Sequence, residues 1–177
     1  MEEKRIDSRT IYKGRIVNLR VDTVLLPNGK NAQREIVEHP GAVVIIPVLD
    51  DEKIVMVKQY RAAVGKVLLE LPAGTIEKRE DPYECAVREL EEETGFTAEK
   101  LKPLLTFYPS PGICSEIMYL FMADKLKKSK SSPDPDEFLR SVELEISEII
   151  NMINAGRIED GKTLVGILLY LYKQRSG

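Results

Sequence analysis

Three carboxylates, Glu89, Glu92 and Glu93, sit close together in the stretch GTIEKREDPYECAVRELEEETGF, which runs from Gly74 to Phe96. If that stretch is helical, Glu89 and Glu93 lie one turn apart and their carboxylates stack on one face. Like charges at that spacing destabilise a helix by about a few tenths of a kcal/mol. A hard divalent cation removes the repulsion, because clustered carboxylate oxygens are what Mg²⁺ or Mn²⁺ prefers. An isolated acidic run is more often a solvated helix face, so the surrounding pattern has to decide. The single histidine, His39, precedes Pro40 in a predicted turn. Acid–base work in this chain therefore falls to carboxylates or to metal-bound water.

The segment carries its own helix boundaries. Asp81 is an N-cap acceptor, Pro82 suits the first turn, and Glu84 is placed as a capping-box carboxylate. Gly95 takes the left-handed conformation that ends a helix. Between them run about three and a half turns. At 3.6 residues per turn, Tyr83, Ala86, Val87 and Leu90 share one apolar stripe, with the three acids in a second arc along its edge.

The rest of the chain must position that helix. Ile11 to Glu38 reads as strands around the turn Pro27-Asn28-Gly29-Lys30, an N-terminal antiparallel β-hairpin region. Ala42–Val48 is an almost continuous apolar run, suited to a strand covered on both faces. Ile54–Val57 pairs back and leads into Lys58-Gln59-Tyr60-Arg61. Leu68–Leu71 is a short strand, and Pro72-Ala73-Gly74 turns the chain into the acidic helix. Strands are also expected over Leu104–Tyr108, Glu116–Ala123 and Val142–Ile146. Lys125–Ser132 reads as a solvated loop. Ser147 and Thr163 start two closing helices. The division is a β region over 1–40, which buries little on its own and is expected to pack against the main domain or a second subunit, and a main domain over 41–177.

Composition narrows the classes. With 177 residues, 43% hydrophobic and 31% charged, the chain suits a soluble globular protein with an ample core. A net charge of −3 gives no electrostatic footprint for nucleic acid or membrane. No apolar run approaches a membrane span, and MEEKRIDSRT is not a secretion signal. Two cysteines, Cys85 and Cys114, make neither a disulfide framework nor a zinc site, so the expected compartment is the cytoplasm.

The acids recur in a longer pattern: Gly74, five residues, Glu80, seven residues, Arg88-Glu89-Leu90, one residue, Glu92-Glu93, one residue, Gly95-Phe96. This resembles the Nudix box at every constrained position. The resemblance implies an α/β fold, an α/β/α sandwich of mixed sheets, and hydrolysis of a nucleoside diphosphate linked to another moiety. It implies Mg²⁺ or Mn²⁺, two or more ions per site, held by Glu89 and Glu93, by Glu92 as ligand or close neighbour, and by the carbonyl of Ala73. Arg88 and Glu80 would form an ion pair tying loop to helix.

A narrower resemblance, to the ADP-ribose pyrophosphatase branch, rests on REIVEHPGAV from Arg34, VKQYR ending at Arg61, ELPAG from Glu70, and Ser110-Pro111-Gly112, with Pro111 sixteen residues after Gly95. It implies cleavage of ADP-ribose to AMP and ribose 5-phosphate. Arg61 and Arg34 would supply the fork a diphosphate needs, though either arginine alone could be a surface ion pair. Pro111 and Gly112 would wall the terminal ribose. Glu137 would act as metal ligand and catalytic base, with Asp136 and Asp134 as alternatives. Members of this branch are homodimers through their N-terminal strands, where Tyr12 is the aromatic placed to stack on a base. Other nucleoside diphosphate sugars, such as GDP-mannose or ADP-glucose, remain as alternative substrates. A non-catalytic ADP-ribose-binding module is disfavoured because every box carboxylate is present.

Overall fold

The computed structural model describes residues 1–50, 52–130 and 138–176. Among these, the element order is β1 (Lys4–Lys13), β2 (Asn18–Leu25), β3 (Asn31–Glu38), β4 (Ala42–Asp50), β5 (Lys53–Arg61), β6 (Lys66–Glu70) and β7 (Ala73–Thr75). There follow α1 (Pro82–Thr94), β8 (Phe96–Phe107), β9 (Met118–Lys128), β10 (Leu139–Glu145), α2 (Ile146–Asn154) and α3 (Gly161–Ser176). Backbone packing divides the chain into two units. One comprises Met1–Gly41 with Phe107–Met118, the other Ala42–Thr106 with Tyr119–Gly177.

The first unit is a three-stranded antiparallel sheet in the order β1-β2-β3. The predicted turn joins β2 to β3: Gly29 has φ 79° and its N–H donates to the Leu26 carbonyl at 2.9 Å. The sequence placed strands only from Ile11, so the Lys4–Thr10 part of β1 was not expected. All ten of its residues, KRIDSRTIYK, are exposed, so it carries no buried alternation to read. It is held by backbone pairing to β2 and by Asp22, a buried carboxylate that accepts from Ser8 Oγ at 2.6 Å and pairs with Arg20 at 3.2 Å. The proline-rich loop after β8 lies along β3. Val37 N–H donates to the Ile113 carbonyl, and Ser115 N–H to the Val37 carbonyl.

The second unit is organised on β4. Its sheet runs β10-β5-β4-β9-β8, with β6 added to β5 and β7 to β4. Successive strand residues point to opposite faces, and on β4 both faces are covered. Val43 and Ile45 pack with Leu101, Phe121 and Ala123 against Cys85, Ala86 and Leu90 of α1. On the other face, Ile46, Leu71 and Leu120 surround Gly166 of α3, where an added Cβ would stand 2.5 Å from Leu71 Cδ1. That close approach is why a helix interior tolerates glycine here. The result is the expected α/β/α sandwich of mixed sheets. Among the described residues no helix is long and apolar enough to cross a membrane.

Several boundaries differ from expectation, each for a local reason. β8 begins directly after Gly95, because the Phe96 side chain is buried and continues the core beyond the helix stop. β9 continues to Lys128, so the basic stretch read as a loop from Lys125 is partly strand. α2 starts at Ile146 rather than Ser147, since the Glu148 carboxylate reaches back to the Glu145 N–H at 3.2 Å. α3 starts at Gly161, before Thr163, because Asp160 supplies the cap and accepts from Thr163 N–H at 2.9 Å.

Candidate active site

Helix α1 forms where its end signals place it. Asp81 Oδ1 accepts from Tyr83 N–H at 2.8 Å, and Gly95 closes the helix at φ 71°. Its buried face, however, takes only half of the expected stripe, Ala86 and Leu90. Cys85, Ala86 and Leu90 are buried, whereas Tyr83 and Val87 are each 39% exposed. The helix is rolled so that Glu89 and Glu93 also turn inward, at 8% and 2% exposure. Tyr83 compensates by setting its ring edge-on to Phe121.

Two features accept these buried carboxylates. Strand β7 brings Ala73 and Gly74 beside the helix. Glu93 Oε2 accepts from the Ala73 N–H at 3.0 Å, and the Glu89 carboxylate lies against Gly74 so closely that a Cβ there would fall 1.9 Å from its Cδ. Arg88 is the second feature. It donates to Glu80 through Nε at 2.9 Å and Nη2 at 3.1 Å, and through Nη1 to Glu89 at 2.7 Å and Glu92 at 2.9 Å. One guanidinium thus ties the loop before α1 to two of the three box acids, and the expected Arg88–Glu80 pair is present.

The Arg88 hydrogen bond holds the Glu80 carboxyl at about 2, below its ordinary 4.5, against the opposing effect of burial. A depressed folded-state pKa contributes stability that is complete above the unfolded value and lost as pH falls through the folded one. Stability measured by denaturant is therefore expected to fall between pH 4.5 and about 2 more steeply in the wild type than in Glu80→Gln. Parallel curves over that window would show that the pair contributes nothing.

Beside this cluster lies a second set of charges that sequence spacing did not reveal. Arg61 forks onto Glu70, Nε to Oε1 at 2.8 Å and Nη2 to Oε2 at 2.7 Å. Lys162 Nζ donates to the same Glu70 Oε2 and pairs with Asp160 at 3.0 Å. Asp160 Oδ2 also accepts from Thr163 Oγ1 at 2.6 Å, and Thr163 Oγ1 accepts from Leu71 N–H at 2.8 Å. Burial pushes the Glu70 carboxyl up, but Arg61 and Lys162 outweigh it and leave it below the usual range. Arg61 also lies in the field of Glu93.

The other predicted residues fall elsewhere. Arg34 belongs to the first unit, where its Nε donates to Glu3 at 3.0 Å. Pro111 and Gly112 are exposed in the same unit, in a turn closed by Cys114 N–H on the Ser110 carbonyl at 2.9 Å. Tyr12 is 59% exposed on β1. Arg61 joins Ala73, Glu89, Glu92 and Glu93 in the second unit. Glu137, with Asp134 and Asp136, lies outside the described residues. Both arginines expected to bind diphosphate are thus paired with carboxylates.

The donor set on α1 is all oxygen, which is what a hard divalent cation takes. Glu89, Glu92 and Glu93 are the side chains that would hold such an ion, and the Gly74 cradle leaves room for the Glu89 carboxylate at the loop. Among the described residues no three acidic, His or Cys groups are gathered closely enough to bind an ion as they stand. Arg88 engages one oxygen each of Glu89 and Glu92, and the Ala73 N–H one oxygen of Glu93.

The family description NUDIX domain matches residues 38–164, and the description nucleoside diphosphate sugar hydrolase N-terminal domain matches residues 3–37. The chain is 46% identical over 168 residues to the methanol dehydrogenase activator of Bacillus methanolicus, covering 94% of this chain and 91% of that one. It is 43% identical over 169 residues to the ADP-ribose pyrophosphatase of Bacillus subtilis (strain 168), with the same coverage. A crystal structure of an ADP compounds hydrolase superposes with a TM-score of 0.87 over 99% of this chain and 96% of the other, at 22% identity, a likeness of fold.

Proposed function

The chain belongs to the Nudix family, and from that premise we propose that it hydrolyses the diphosphate of ADP-ribose to AMP and ribose 5-phosphate. The observation that carries the chemistry is the acidic face of α1, with all three box acids present and Glu89 and Glu93 buried against the Ala73–Gly74 backbone. The observation that favours ADP-ribose is 43% identity, over nearly the whole chain, to a relative of that activity.

Water attacks one phosphorus, the bridging P–O bond breaks, and both products leave as phosphate monoesters. Nudix hydrolases generally work with divalent metal ions. In our reading these are Mg²⁺ or Mn²⁺, two or more per site. Glu89 and Glu93 would hold them, with Glu92 and the Ala73 carbonyl assisting. A bound ion supplies polarisation of the phosphoryl oxygens, acidifies the attacking water and shields charge on the leaving oxygen. Arg61 and Arg34 grip the diphosphate, since a guanidinium fork matches phosphate oxygens in pairs. Pro111 and Gly112 wall the ribose, and Glu137 takes the proton from water. The chain acts as a homodimer through its N-terminal strands, a reading supported by Ile6, Ile11 and Tyr12 exposed on β1. Two free cysteines suit a cytoplasmic setting.

A substrate panel tests this reading. ADP-ribose, ADP-glucose, GDP-mannose, NADH, diadenosine polyphosphates and dGTP are incubated with the protein and Mg²⁺, and products are separated by chromatography. AMP is expected fastest from ADP-ribose. Faster cleavage of GDP-mannose or ADP-glucose keeps the hydrolase and replaces the substrate. Tight binding with no cleavage of any compound moves the protein to a sensing role.

A further inference from the structure

Glu70 is a carboxylate with two cations on it. Its side chain is 1% exposed, that of Lys162 is 9% exposed, and that of Arg61 is 38% exposed. A lone buried carboxylate would need one of them, because an uncompensated buried charge is strongly destabilising. The two differ in what else they can reach. Lys162 is fixed in the first turn of α3 by Asp160, which caps that helix and is itself held by Thr163. Arg61 ends β5, is partly solvent-facing, and lies in the field of Glu93 on the acidic helix.

We propose that Lys162 is a positioning residue for substrate capture: it keeps Glu70 neutralised while the Arg61 guanidinium exchanges that carboxylate for the diphosphate of the substrate. This rests on the ADP-ribose hydrolase reading above. Without Lys162, moving Arg61 to a phosphate would strand Glu70 as a buried, unpaired anion, and the cost would be subtracted from substrate binding. The competent arrangement of Arg61 would then be rarely populated, and apparent affinity falls in proportion to that population. With Lys162 in place, Glu70 has a partner both before and after the exchange. The Arg61 fork made on Glu70 is the same bidentate geometry that a phosphate accepts.

Steady-state kinetics on the Mg²⁺-loaded full chain separates this role from a tether between α3 and β6. Lys162→Met is expected to raise KM for ADP-ribose about tenfold or more, by the fraction of Arg61 locked on Glu70, with kcat within about threefold of wild type. Lys162→Arg restores the second cation and is expected to return KM to near the wild-type value. Glu70→Gln combined with Lys162→Met removes the lock together with its counter-ion, so KM recovers. Thr163→Val removes the hydroxyl bonds to Leu71 N–H and Asp160 without changing charge, while the backbone N–H of residue 163 still holds Asp160, and is expected to lower Tm while leaving KM unchanged. A Lys162→Met enzyme with lower Tm and kcat but unchanged KM overturns the proposal, as does a double variant with KM as high as the single. If Lys162→Met does not fold, the double variant decides against the wild type: a KM near the wild-type value supports the proposal, and a KM raised about tenfold or more overturns it. If the wild type does not cleave ADP-ribose, the function reading falls first. Calorimetry with inorganic pyrophosphate then decides this proposal, and unchanged affinity in Lys162→Met overturns it.

Discussion

Glu93→Gln is expected to lower kcat for ADP-ribose by on the order of a thousandfold, the equivalent of about 4 kcal/mol of transition-state stabilisation lost with a metal ligand. The fold should be untouched. Glu93 is 2% exposed, and its Oε2 accepts a hydrogen bond from Ala73 N–H that a glutamine oxygen can equally accept. What the substitution removes is one negative charge from a helix face that also carries Glu89 and Glu92 four and one residues away. In metal-free protein that loss relieves repulsion, so Tm should hold or rise slightly. Adding Mg²⁺ should raise Tm in the wild type by preferential binding to the folded state, and do so far less in the variant. Activity within tenfold of wild type, with an equal Mg²⁺ shift in Tm, would remove Glu93 from the metal site.

The second large effect is expected at Gly74. A Cβ added there would stand 1.9 Å from Cδ and Oε1 of Glu89 and 2.4 Å from its Cγ. The Glu89 side chain cannot simply swing away at no cost, because Arg88 holds Oε1 at 2.7 Å and the residue is buried. Gly74→Ala must therefore displace the carboxylate or shift β7 against β4. A misplacement of about 1 Å in a catalytic group costs roughly a hundredfold in rate, and overpacking costs about 1–3 kcal/mol of stability. Both should be seen together as a fall in kcat and in Tm. Gly161→Ala is the control, since nothing lies within 4 Å of its added Cβ. Equal behaviour of the two variants would mean that Glu89 is not held where the chemistry requires it.

Much of this site was legible because its signals are local. Asp81, Pro82 and Gly95 mark the ends of α1 by backbone chemistry that needs no tertiary partner, and β4 announces burial on both faces by an almost continuous apolar run. The rotation of α1 was not legible. A count of apolar positions places Tyr83 and Val87 inward, whereas the helix turns two carboxylates inward instead. It does so because Arg88 and the Ala73 N–H satisfy charges that composition treats as surface. The start of β1 escaped notice because every residue is exposed, and what holds it, backbone pairing to β2 and the Ser8 hydrogen bond to Asp22, leaves no hydrophobic pattern. The Arg61, Glu70 and Lys162 cluster was invisible for another reason. Its members lie on two strands and a distant helix, and no spacing in the chain links residues 61, 70 and 162. Glu137 lies outside the described residues, and its role as proton acceptor is the one the sequence resemblance implies.

The central claim is metal-dependent cleavage of ADP-ribose on the acidic face of α1. The most direct measurement follows AMP release from ADP-ribose by chelator-treated wild-type protein, before and after Mg²⁺ is restored. The account predicts no release with chelator, full release on adding Mg²⁺, and equimolar ribose 5-phosphate. AMP formation that persists undiminished in chelator, or no AMP with Mg²⁺ restored, would contradict it.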